Sequence, residues 1–184
     1  MLAAWNAIHY PTLSGPVDWG PVTGRFVRAD TPGDLSLVSN VSLVPHIGDR
    51  VVMIRLDNGR WELPGGTLEE GEPHSDGLRR ELLEELGAEL VSDFQVFGYF
   101  DCRSSAPAPY RPYIPHPRFR RLVGHGEVEL VGLPLNPPDG ERVVLVEPVP
   151  IDEAVRRFME GGRQELAELY RLGHALRRLG SPGA

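Results

Sequence analysis

Apolar and polar positions alternate along the chain in short runs that glycine and proline separate. Residues 36–45 and 50–56 (RVVMIRL) read as strands joined by the turn HIGD, and Asp57-Asn58-Gly59 signals a hairpin returning through residues 60–63. Pro64-Gly65-Gly66 predicts a sharp turn in which backbone can approach a ligand closely. The period then changes. Leu78, Leu82 and Leu86 recur every fourth residue, so residues 76–86 predict a helix with Ser75 as N-cap and Gly87 just past its last turn. Alternation resumes at residues 94–101, 127–133 and 142–147, and residues 151–160 and 164–178 predict amphipathic helices broken by Gly161-Gly162. Strands, a helix, more strands and terminal helices indicate an α+β or sandwich arrangement rather than successive parallel crossover units.

A chain of 184 residues accommodates one domain with a substantial core, and 41% hydrophobic with 24% charged residues is ordinary for a globular protein. Residues 36–184 are the expected domain. Residues 1–35 form a Pro/Gly-rich extension whose Trp5, Tyr10, Trp19 and Phe26 predict packing on the domain or on a dimer mate. All 19 basic residues are arginine, which excludes a lysine nucleophile, a Schiff base or a phosphate-binding lysine of the P-loop kind. Cys102 stands alone and predicts a buried small residue, not a disulfide. The first residues lack a basic leader and no apolar run reaches membrane-spanning length, so a cytoplasmic location is expected.

Charge changes this picture more than composition does. The net charge is −7, and residues 61–90 account for all of it, with nine acids against Arg79 and Arg80. Glu81, Glu84 and Glu85 stand at i, i+3 and i+4, so the predicted helix projects three carboxylates from one side. Like charges so placed repel by a few tenths of a kcal/mol per pair, and oxygen donors without Cys or His suit a hard divalent ion: Mg2+, with Mn2+ as a substitute. Glu69 and Glu70 read as a solvated acidic face. Between Arg103 and Arg121 lie five arginines and no acid, which suits a ligand carrying phosphates. Arg103, Arg111, Arg118 and Tyr110 are the candidate substrate contacts. The proline-rich stretch 107–117 predicts a stiff loop serving as a substrate lid or dimer contact. The acidic balance disfavours long nucleic acid as a partner.

Gly66, Glu72, Arg80, Glu81, Glu84, Glu85 and Gly87 have the spacing Gly-x5-Glu-x7-Arg-Glu-U-x-Glu-Glu-x-Gly-U, with U apolar. This 23-residue segment, led by WELPGG, resembles the signature box of the Nudix hydrolases. The resemblance implies an α/β/α sandwich with a mixed sheet over about residues 36–160. It also implies Mg2+-dependent hydrolysis of a phosphoanhydride in a nucleoside diphosphate linked to another moiety, such as a nucleotide sugar. Alternatives are a house-cleaning nucleoside triphosphate pyrophosphatase and a Nudix-fold regulator that binds a nucleotide without turnover. By the same resemblance Glu81, Glu84, Glu85 and the Gly66 carbonyl hold metal, Arg80 orients Glu84, and Glu72 is structural. Glu81 is the first candidate for general base, Glu141 the second, with Glu127 and Glu129 as competitors. A homodimer is expected. Gly77 departs from the alanine many relatives carry and costs roughly 1 kcal/mol of helix propensity.

Overall fold

The computed structural model describes residues 5–138 and 140–180. At its centre β3 (Val38–Ile47) and β4 (Arg50–Leu56) form an antiparallel pair closed by the turn at Gly48-Asp49. Two short strands, β5 (Trp61–Glu62) and β6 (Gly65–Thr67), fold back on β4 and β3. Helix α2 (His74–Leu86) follows, and β7 (Ala88–Leu90) leads on to β8 (Gln95–Ser104). The long β9 (Arg118–Leu130) runs parallel to β3 and antiparallel to β8. Strand β10 (Val143–Val149) pairs with β4, and α3 (Ile151–Glu160) and α4 (Gln164–Gly180) complete the chain. At the other edge β1 (Pro16–Trp19) pairs with β2 (Val22–Arg28), which lies along β8, so the sheet order is β1-β2-β8-β9-β3-β4-β10.

Strand alternation divides the side chains between two cores. Val52, Ile54 and Leu56 of β4 face α2, whereas Val51 and Met53 face α3 and α4. The first core receives Leu78, Leu82 and Leu86, each at most 1% exposed, and burying each contributes about 1.5–3 kcal/mol. The second receives Phe158, Leu169, Leu172 and Tyr170, whose hydroxyl donates to the Val52 carbonyl at 2.9 Å. A short helix α1 (Pro11–Ser14) is tied to this side: the Thr12 and Leu13 N–H groups donate to the carboxylate of Glu168 at 3.0 and 2.9 Å. The result is the expected α/β/α sandwich with a mixed sheet.

Several boundaries differ from the sequence expectation. The box helix begins at His74 rather than Asp76, and Pro73, not Ser75, occupies its cap. Pro73 has an extended backbone, yet its carbonyl accepts from the N–H groups of Asp76 and Gly77, both at 3.0 Å, so the first turn starts two residues early. At the other end Gly87 takes the left-handed conformation, φ 62° and ψ 39°, as the C-terminal signal requires. Gly77 has a positive purpose: a Cβ there would lie 2.5 Å from Leu68 Cδ2 and 2.9 Å from a Glu72 oxygen. Its absence lets the loop before the helix lie against the first turn. The strand expected at residues 127–133 begins nine residues earlier, within the arginine-rich stretch 103–121, and ends at Leu130: it is β9 (Arg118–Leu130). Pro64-Gly65-Gly66 turns as predicted but passes directly into β6. Cys102 is buried in the second core.

Candidate functional site

The site forms where β6 delivers two glycines to the C-terminal half of α2. Gly65 has φ 132°, and a Cβ on it would lie 2.2 Å from the Val41 carbonyl oxygen, so only glycine fits there. Its N–H donates to Glu85 Oε2 at 2.8 Å. Next to it, a Cβ on Gly66 would lie 2.2 Å from Glu81 Oε1, so the Glu81 carboxylate rests directly against the Gly66 backbone. The helical spacing brings the third acid to the same side, and one arginine ties the group together. Arg80 Nε and Nη2 donate to the two Glu72 oxygens, each at 3.0 Å; Nη1 donates to Glu81 Oε1 at 2.9 Å and Glu84 Oε2 at 3.1 Å. A bond from Nη2 to the Thr67 carbonyl at 3.2 Å uses the fifth of its five N–H groups.

Hydrogen bonding and burial shift the carboxylates in opposite directions. Hydrogen bonds from Arg80 hold Glu72 below the ordinary carboxylate range. Burial raises Glu81, overriding Arg80. Burial also pushes Glu85 up to about 8, reinforced by the charges of Glu81, Glu141 and Glu62 and opposed by the Gly65 N–H. Among these causes Glu85 has no cationic partner, and Glu81 shares Arg80 with Glu72 and Glu84, so a divalent ion would supply the missing positive charge. Glu81, Glu84, Glu85 and the Gly66 carbonyl offer only oxygen donors, which fits Mg2+ or Mn2+. With the side chains as they stand, no three acidic, imidazole or thiol groups among the described residues converge on one point suited to a metal. Arg80 draws Glu81 and Glu84 to one side while Gly65 holds Glu85.

A cavity of about 210 Å3 opens beside Glu85. Gly65, Gly66 and Glu141 share its wall with Asn40 and Ser42 of β3, Phe100 of β8, Arg121 and Val123 of β9, and Trp19 of β1. Glu141, nominated as a late acid, therefore stands at the box cavity. Arg163 lines it too but is engaged, bonding Glu62 and donating to Glu165 Oε1 at 2.7 Å. The arginines chosen from sequence lie elsewhere. Arg118 forms a two-bond pair with Asp101, with Nε to Oδ1 at 2.9 Å. Arg111 donates to the Tyr113 hydroxyl at 3.1 Å and covers the Tyr110 ring at 5.8 Å, and Tyr110 is 83% exposed. Neither these nor Arg103 lines the cavity. The residue that does is Arg121, the last of the five arginines in the Arg103–Arg121 stretch and not among the candidate contacts. The alternation Phe119, Arg121, Val123 was the available signal for its inward direction.

The proline-rich loop reaches the other side of the box. Tyr113, Ile114 and Pro115 line a cavity of about 240 Å3 with Leu68, Glu69 and Glu72. Glu127 pairs with Arg177 and borders a larger cavity, of about 560 Å3, that includes His125 and Arg28 and none of the box acids. Glu129 faces Glu89 across the β7–β9 ladder. These placements separate both acids from Glu85. No helix among the described residues is long and apolar enough to cross a membrane.

Comparison with known proteins agrees with this geometry. A MutT-like protein of Streptomyces ambofaciens is 42% identical over 64 residues, 34% of this chain and 42% of that protein. A Mycobacterium tuberculosis protein provisionally named 8-oxo-dGTP diphosphatase 2 is 58% identical over 38 residues, 21% of this chain and 26% of that one. The matches thus span less than half of these relatives. A crystal structure of a Bacillus subtilis pyrophosphohydrolase superposes with a TM-score of 0.59 and 15% identity, covering 86% of this chain and 92% of that chain, a likeness of fold. The model of the NUDIX domain matches residues 38–171, from the first central strand into α4 and with the whole box inside it, so the chain belongs to the NUDIX family.

Proposed function

We propose that the protein is a divalent-metal-dependent pyrophosphohydrolase cleaving a phosphoanhydride bond in a nucleoside diphosphate linked to another moiety. The observation that carries this reading is the placement of Glu85, anchored by the Gly65 N–H, on the wall of a cavity that Glu141 and Arg121 also line. Glu81, Glu84, Glu85 and the Gly66 carbonyl would hold Mg2+, with Mn2+ as a substitute. When bound, the metal neutralises phosphate charge and lowers the pKa of water. Arg80 keeps Glu81 and Glu84 aligned and, through Glu72, fixes the loop before the helix to it. A carboxylate must also accept the proton that the attacking water loses. Glu81 is 8% exposed and tied to Arg80, which supports a ligand role. Glu141 faces the cavity outside that clamp, and this supports it as the proton acceptor.

The name of the partly matched Mycobacterium tuberculosis relative favours a second reading, a nucleoside triphosphate as substrate. Products separate the two. Incubation with Mg2+ and a panel of nucleotide sugars, dinucleotides and nucleoside triphosphates is expected to release a nucleoside monophosphate. A sugar phosphate as co-product supports the first reading and inorganic pyrophosphate the second. Binding of a panel member with no turnover of any would instead indicate a nucleotide-binding regulator.

A further inference from the structure

Among the described residues, Arg121 lines the box cavity without an ion-pair partner. It stands on β9 beside Asn40 of β3 and Phe100 of β8. Its Nε is buried without a hydrogen-bond partner, and among the described residues no acid forms an ion pair with it. Removing a guanidinium from water without a counter-charge costs several kcal/mol. Arg163, on the same cavity, is neutralised by Glu62 and Glu165. Arg120, its neighbour in sequence, faces the other way: Nη1 donates to the Pro32 carbonyl at 3.3 Å and the group covers Tyr99 at 4.3 Å.

The indole of Trp19 supports Arg121. The guanidinium carbon lies 4.9 Å from the Trp19 ring centre. Trp19 meets Phe100 edge-on at 5.0 Å and is seated on Gly24, where a Cβ would come within 2.7 Å of the ring. Both Trp19 and Gly24 belong to β1–β2, outside residues 38–171 that match the family. Because Arg121 covers this face of the indole, the face is not available to stack on a base. The group presented to the cavity is the guanidinium, whose fork matches the oxygens of a phosphoryl group. At about 210 Å3 the cavity is below the roughly 300–1,000 Å3 of pockets that enclose a whole ligand, so it suits a short phosphate chain.

We propose that Arg121, braced by Trp19, is an anion subsite that binds the phosphate chain in the cavity Glu85 also lines. The proposal rests on reading the cavity as a nucleotide site. It is tested by calorimetry in EDTA with inorganic tripolyphosphate and α,β-methylene-ADP as probes, on wild type and on Arg121→Gln, Arg121→Lys, Trp19→Leu and Glu85→Gln. Arg121→Gln is expected to weaken both probes by about ten- to a hundredfold, the value of one charge-assisted contact. Arg121→Lys should lose less and Trp19→Leu only a few-fold, while Glu85→Gln should bind at least as well as wild type without metal. The melting temperature of Arg121→Gln should stay level or rise. Unchanged probe binding in Arg121→Gln, in a wild type that hydrolyses nucleotides, overturns the subsite alone. So does weakened binding in both Arg121 variants together with lower melting temperatures. A wild type that binds neither probe and hydrolyses nothing overturns the nucleotide reading as well.

Discussion

The box and the β8–β9 wall of the same cavity use arginine in opposite ways. Arg80 spends all its donors on Glu72, Glu81, Glu84 and the Thr67 carbonyl, so it has nothing left to offer a ligand. Arg121 is half-buried on an indole and, among the described residues, forms no ion pair with an acid. The first arrangement holds an acidic cluster together, and the second leaves a positive charge that the proposed subsite would offer to an anion. On that proposal a substrate contact is marked by unspent hydrogen-bonding capacity rather than by proximity to the box.

The largest expected effects lie on the acidic side. Glu85→Gln should take turnover below detection while far-UV circular dichroism stays native, since amide replaces carboxylate at nearly constant volume. Retained wild-type turnover would remove Glu85 from the site. Glu141→Gln should lower kcat by about 10²–10⁴-fold if this acid accepts the proton. A drop confined to KM would return the role to Glu81.

Gly66→Ala probes the contact that keeps Glu81 in place. The added Cβ would overlap the Glu81 carboxylate at Oε1, the oxygen that Arg80 also bonds. An error of about 1 Å in such a position costs about 10²-fold in rate. Steady-state kinetics with a Mg2+ titration should show both lower turnover and weaker metal dependence, and an unchanged profile would mean that Glu81 moves freely.

A smaller effect sharpens what an orphaned polar atom means. His46 is fully buried, stacked on His174 at 5.5 Å and 6.2 Å from His125, and its Nδ1 also lacks a partner. Burial, then the charge of Arg177 and the neighbouring histidines, holds its pKa down to about 3. The unfolded chain takes up this proton near pH 6.5 and the folded one does not, so stability is full above pH 6.5 and declines as pH falls toward 3. Between pH 7.5 and 5 the loss from this group is about 2 kcal/mol. His46→Leu should flatten the acid limb of thermal stability by that amount; an unchanged slope would place the acid sensitivity elsewhere. Here the unsatisfied atom belongs to a core residue and its cost is one of stability, whereas Arg121, whose Nε is likewise buried, lines a cavity.

The parts of this arrangement legible in the sequence are the local ones. Leu78, Leu82 and Leu86 mark the buried stripe of α2, and the i, i+3, i+4 acids mark its other side. The pairing of Arg80 with Glu84, implied by the family resemblance, matches i, i+4 helical spacing. What escaped depends on strands meeting across the sheet. Arginines at 118, 120 and 121 masked the first half of β9, because charge obscured an alternation that only its parallel pairing with β3 makes evident. Trp19 reaches the cavity through β1, whose place at the sheet edge depends on the ladder between β2 and β8. The two-residue shift at the start of α2 came from preferring a serine cap to a proline carbonyl.

The central claim is that the cavity between box and arginine wall hydrolyses a phosphoanhydride at phosphorus. Phosphorus-31 NMR of the products formed with Mg2+ in 18O-labelled water tests it directly. The account predicts one nucleoside monophosphate co-product pair with a single 18O on one of the two phosphates, in wild type and not in Glu85→Gln. Tight binding of the nucleotide panel with no labelled phosphate from any member would contradict it.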